Sequence, residues 1–182
     1  SSMVIKDGSI YATSGLHIVC LQASTGTIQW DVALEGSADA VMTTSKCVLA
    51  ASSVYDIEHN DFIESAIWSI SFDGDVLTTY RMDERPWTLH AYSDGAIAGL
   101  GRPLNGYLIL DTNGDILEQN KDWESPTICA TSGENPVFGL ADGSIRSMDG
   151  TLVCSMQSAI SNVVKHADGY VVADDKGNIE FI

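Results

Sequence analysis

The chain has 182 residues, of which 45% are apolar and 19% charged, a balance that suits a folded chain burying roughly 70% of its unfolded surface and excludes disorder. Its net charge of −16 reflects 25 acidic against 9 basic residues, and without a cluster of Lys and Arg a nucleic-acid-binding surface is excluded, because phosphate contacts need clustered cations. No run approaches the roughly 18 apolar residues of a membrane span, and no charged-then-apolar signal segment opens the chain.

Short alternating runs rich in Val, Ile, Leu, Tyr and Thr follow one another from end to end, broken by Gly, Asp, Asn and Ser. None carries apolar residues at helical spacing over three turns, so strands are expected throughout. Residues 3–14 read as two strands hinged at Asp7-Gly8, and residues 18–30 as two more around Gly26. The same grammar returns at 40–52 with 67–80, at 87–100 with 107–119, and at 127–140 with 145–156. A last unit, 162–174 followed by 178–182, is one strand short. The turn glycines Gly26, Gly74, Gly114 and Gly150 are spaced by 48, 40 and 36 residues.

Four antiparallel strands repeating at about forty residues predict the blades of a β-propeller. One sheet cannot bury both faces, but radial stacking of twisted sheets can, and apolar stretches such as residues 107–110 suit strands covered on both sides. The expectation is all-β, a single propeller over residues 1–182 with about five four-stranded blades. Either the ring closes with one three-stranded blade, or the chain is part of a larger propeller. The Ser1-Ser2-Met3 start reads as the remnant of a cleaved tag.

The first unit ends in Ala23-Ser-Thr25-Gly26-Thr-Ile-Gln-Trp30. This resembles the repeat of the quinoprotein-like (PQQ-like) propellers, where an Ala-x-Thr-Gly turn and a following Trp recur blade after blade. The resemblance implies that Trp30 docks between neighbouring blades. Units two to four carry Asp73-Gly74, Asn113-Gly114 and Asp149-Gly150 at that turn. The family includes dehydrogenases, assembly lipoproteins and interaction domains, so the fold alone does not assign an activity.

Candidate chemistry is sparse. Cys20, Cys47, Cys129 and Cys154 each sit in a strand-like run with no second Cys or His at zinc-ligand spacing, and read as buried free thiols, with two disulfides as the alternative. Free thiols point to a reducing, cytoplasmic location, or an extracytoplasmic one if a signal segment has been removed. Asp111 to Asp122 superficially resembles a calcium loop, yet position six is Ile116 and position twelve Asp122, so a hairpin turn is expected. His90 and His166 occupy equivalent inner-strand positions and would face the central channel. Asp174-Asp175 reads as a solvated turn pair. No nucleophile elbow and no phosphate loop is present, so no catalytic residue, metal or cofactor is assigned.

The blade-connecting segments 82–87 and 120–126 each combine a Trp, opposite charges and a Pro. On a shared rim they would present Arg85, Trp87, Trp123 and Glu124 to a protein partner, since exposed Trp and Arg make binding hot spots. Residues 54–65 read as a loop insertion in unit two. The reading is a non-catalytic protein-interaction scaffold; the alternative is a small-molecule or sugar-processing propeller enzyme with its site at the channel mouth.

Overall fold

Period-two alternation places successive side chains on opposite faces of a strand, and here both faces are apolar. The computed structural model describes residues 2–182; Ser1, read above as part of a tag remnant, lies outside them. The described residues form five antiparallel sheets and no helix. Blade one holds β1 (Met3–Lys6), β2 (Ser9–Ser14), β3 (His17–Gln22) and β4 (Ile28–Ala33). Blade two holds β5 (Ser37–Thr43), β6 (Val48–Asp56), β7 (Asp61–Ile70) and β8 (Val76–Met82). Blade three holds β9 (Arg85–Tyr92), β10 (Gly95–Gly101), β11 (Asn105–Leu110) and β12 (Ile116–Trp123). Blade four holds β13 (Thr127–Ala130), β14 (Val137–Leu140), β15 (Ser144–Ser147) and β16 (Leu152–Ser155). Blade five has three strands, β17 (Ile160–His166), β18 (Gly169–Asp174) and β19 (Ile179–Phe181).

The alternation explains the stacking. On β6, Val48 and Ala50 join Tyr11 and Ile18 in the layer between blades one and two. Their neighbours Leu49 and Ala51 point the other way, against Leu89 and Leu100 of blade three. Blade three repeats the division, with Leu108 and Leu110 facing blade two and Tyr107 and Ile109 facing Phe138 of blade four. Val163 and Val172 of blade five pack on Cys129 and Ile145 of blade four. Trp30 spans the boundary between blades one and two: its indole N–H donates to the Phe72 carbonyl at 2.9 Å, and its ring lies where a Cβ on Gly74 would be only 2.8 Å from Cγ.

The insertion in unit two is not a loop. It lengthens the β6–β7 hairpin, pairing Tyr55 with Phe62 and Asp56 with Asp61, because its β-branched and aromatic residues continue the alternation up to a tight turn at 57–60. Among the described residues, no contact as extensive as those between successive blades joins blade five to blade one, so the five blades form an open arc.

Asp174 is buried, not solvated as expected from sequence, because its carboxylate serves as the acceptor for a whole turn. It accepts from Ser158 Oγ at 2.7 Å, Asn178 Nδ2 at 2.7 Å and the backbone N–H groups of Lys176 and Asn178. Hydrogen bonds from Ser158 and Asn178 hold its pKa down from 3.8 to about 2. A lowered carboxylate pKa gives stability that is complete above the unfolded value and is lost as pH falls through the folded one. Acid titration of blade five should therefore show destabilisation from about pH 4 down to about pH 2 that is absent in Asp174→Asn, read by hydrogen exchange of β17 and β18.

Candidate recognition surface

The rim that carries the starts of the inner strands is organised around Arg85. As the first residue of β9, it projects from the short connection 83–84 towards blade two. Its Nη2 donates to Asp39 Oδ1 at 2.9 Å and its Nε to Asp39 Oδ2 at 3.3 Å. Ser53 Oγ donates to the same Oδ2, so both carboxylate oxygens are engaged. The Arg85 guanidinium also lies 3.8 Å from the Phe62 ring and 4.4 Å from the Trp87 ring. A cation between two aromatic rings and a carboxylate is largely desolvated, which strengthens each attraction.

Trp87 is exposed, and one edge of its indole passes close to the backbone at Gly101. A Cβ on Gly101 would sit 2.3 Å from Trp87 Nε1 and 2.9 Å from Pro126 Cβ. That close approach brings Trp87 of β9 and Pro126 of the following connection together over one glycine. A second ion pair ties the connection 83–84 to β12, Lys121 Nζ to the buried Glu84 Oε2 at 2.9 Å.

The two Trp residues are not equivalent, contrary to the shared position expected from sequence. Trp87 is the third residue of inner strand β9, whereas Trp123 is the last residue of outer strand β12. Trp123 is half-buried, edge-on to Tyr107 and Phe138 with ring centroids at 5.4 and 5.0 Å. Arg85 and Trp87 lie on a strand and not in a loop; of the four predicted residues only Glu124 lies in a connection, and it is exposed. Beside Phe62 the lengthened β6–β7 hairpin exposes Tyr55, Ile57 and Ile63, with Ile57 86% accessible. A shallow cleft of about 340 Å³ lies between Phe62 and Ile63 on one side and Asp83, Arg102 and Pro103 on the other. Asp39 was not found from sequence, since 46 residues separate it from Arg85 and no local spacing announces the pair, whereas Phe62 and Glu84 lay inside segments 54–65 and 82–87 without being singled out.

The channel histidines do not converge. His90 accompanies Thr131, Asn162 and Lys165 around a cavity of about 350 Å³ without a carboxylate. Its ring shares a 2.7 Å hydrogen bond with Thr88 Oγ1, and burial lowers its pKa. His166 is exposed and packs edge-on to Phe181. Asp111 accepts the N–H groups of Asn113 and Asp115 within its own turn, at 2.7 and 2.9 Å. Among the described residues no three His, Cys, Asp or Glu side chains are grouped so as to hold a metal.

The sequence matches no family model and no curated protein. Among solved structures it is similar to the WD40 β-propeller domain of Doa1, at 18% identity and a TM-score of 0.72 over 98% of this chain and 62% of that one. It is similar to the Neurospora crassa Pan2 WD40 domain at 15% identity and a TM-score of 0.68, over 98% of this chain and 60% of that one. The computationally designed Ika4 protein matches at 14% identity and a TM-score of 0.64, over 81% of this chain and 91% of that one. These likenesses establish a β-propeller fold. The chain spans 60% and 62% of the two WD40 domains.

Proposed function

We propose that the protein is a non-catalytic interaction scaffold that binds a protein partner through the rim centred on Arg85 and Trp87, with Glu124 on the adjoining connection and Trp123 packed beneath it. The observation that carries this reading is the exposed Trp87 indole braced by a guanidinium that is itself held between Phe62 and Asp39. Rigid aromatic anchors lose little conformational freedom on binding, and Tyr55, Ile57 and Ile63 extend the apolar area beside it. Exposed Glu58, Asp61, Asp83 and Glu124 outnumber the one exposed cation of the cleft, Arg102, which favours a partner segment with apolar anchors and basic flanks. The quinoprotein-like reading of blade one is supported by the docking of Trp30 on blade two. A reducing compartment is the proposed location, supported by four free thiols, three of them buried.

The test begins with a partner captured by the full chain and mapped by cross-linking. Trp87→Ala should then weaken binding by about 10-fold or more while the melting temperature falls by only a few degrees. Cross-links confined to another face, together with unaltered affinity, would exclude the rim.

A further inference from the structure

The two ends of the arc are apolar faces without partners, and both continue the packing that joins the blades. In blade one the cross-strand register aligns Ile5, Ile10, Leu21 and Ile28 in one row. A second row brings Met3, Ala12 and Val19 together on the same face and ends at the exposed Asp31 of the outer strand. Met3 is 65%, Ile5 64% and Ile28 60% accessible, although the opposite face of the same sheet, with Tyr11, Ile18 and Cys20, is fully buried against blade two. Blade five mirrors this. Val164, Val171 and Phe181 form one row, and Asn162, Ala173 and Ile179 the next, with Asn162 on the inner strand. Val164 is 55%, Phe181 64% and Ile179 71% accessible, while Val163 and Val172 on the reverse are buried against blade four. Contiguous exposed apolar faces of this kind mark interaction surfaces.

We propose that these two end faces bind propeller blades carried by a polypeptide outside residues 1–182, about three in number, which complete the ring. The size of the gap argues for this occupant. The chain accounts for 60% and 62% of the two WD40 domains it is similar to, and the remaining share of each equals about three blades of the size found here. A second copy of this chain would bring five blades into that gap and cannot enter it at the same curvature. The chemistry agrees as well, because a blade presents apolar residues on both faces and each end of the arc offers the matching side. Neither end face includes the rim of Arg85, so this inference stands apart from the proposed recognition surface.

The probe is a three-blade polypeptide comprising residues 37–155 of this chain, whose outer faces are those that pack on blades one and five. It is fused after Ile182 of the full chain so that the ends meet at high effective concentration. The fused protein should melt about 10 °C or more above the 182-residue chain. It should also bind the apolar dye anilinonaphthalene sulfonate less than half as strongly as the 182-residue chain. Ile5→Glu with Val164→Glu, both on free faces, should abolish the gain. A fused protein whose melting temperature and dye binding equal those of the 182-residue chain would overturn the proposal. So would sedimentation of the unfused chain as a closed dimer at micromolar concentration, which would assign the faces to a second copy.

Discussion

Replacing Trp123 with alanine is expected to destabilise the protein by about 3–5 kcal/mol, the cost of removing a large aromatic from a packed layer that cannot collapse around the gap. The indole closes the edge of the cluster formed by the stacked Tyr107 and Phe138 rings, whose centroids are 5.0 Å apart. It contacts both rings edge-on, the geometry in which the positive ring edge meets a negative face. For a chain of this length the loss corresponds to roughly 10 °C in melting temperature. Thermal and urea denaturation measure it, and an unchanged urea slope would show that the loss is in the native state. A loss under about 1 kcal/mol would mean that Trp123 is a surface anchor and not part of the layer between blades three and four.

Asp39→Ala is the second large effect, at about 3 kcal/mol, and its logic is electrostatic. The Asp39 and Arg85 side chains are only 13% and 19% accessible, so removing the carboxylate strands a guanidinium in a poorly solvated site. The Phe62 and Trp87 faces attract the cation but accept no strong in-plane hydrogen bond from it. Combining Asp39→Ala with Arg85→Met should recover most of the loss, because the double variant has no uncompensated charge to bury. Chemical denaturation of the two single variants and the double variant completes the cycle. If the double variant is as unstable as the sum of its parts, Asp39 contributes through packing and the ion pair does not determine the site.

The blades were legible in the sequence because their determinants are local. An alternating strand, an Asp-Gly or Asn-Gly turn and a second alternating strand specify a hairpin without reference to the rest of the chain. Apolar residues on both faces of residues 107–110 pointed to burial on both sides, and the structure divides them between two layers. The site was only partly legible, for the opposite reason. Arg85, Trp87 and Glu124 stood out by composition, but the partners that define their environment, Asp39 and Phe62, come from another blade. Sequence spacing also aligned two Trp residues that pleat and strand length separate, since β12 continues to Trp123 whereas β8 ends at Met82. Asp174 was misread because four donors from one turn and a neighbouring connection converge on it, and a pair of acidic residues in a turn ordinarily faces solvent.

The cysteines make three of the four boundaries between blades separately observable. Cys20 lies in the layer joining blades one and two, Cys47 in that joining blades two and three, and Cys129 in that joining blades four and five. Burial pushes all three thiols up, Cys129 to about 12, so hardly any reactive thiolate exists while the layers are closed. Alkylation of each cysteine then proceeds at the rate, or in proportion to the population, of the opening of its own layer. A peptide map of labelled cysteines over time reads the order in which those three layers open in the unsubstituted protein.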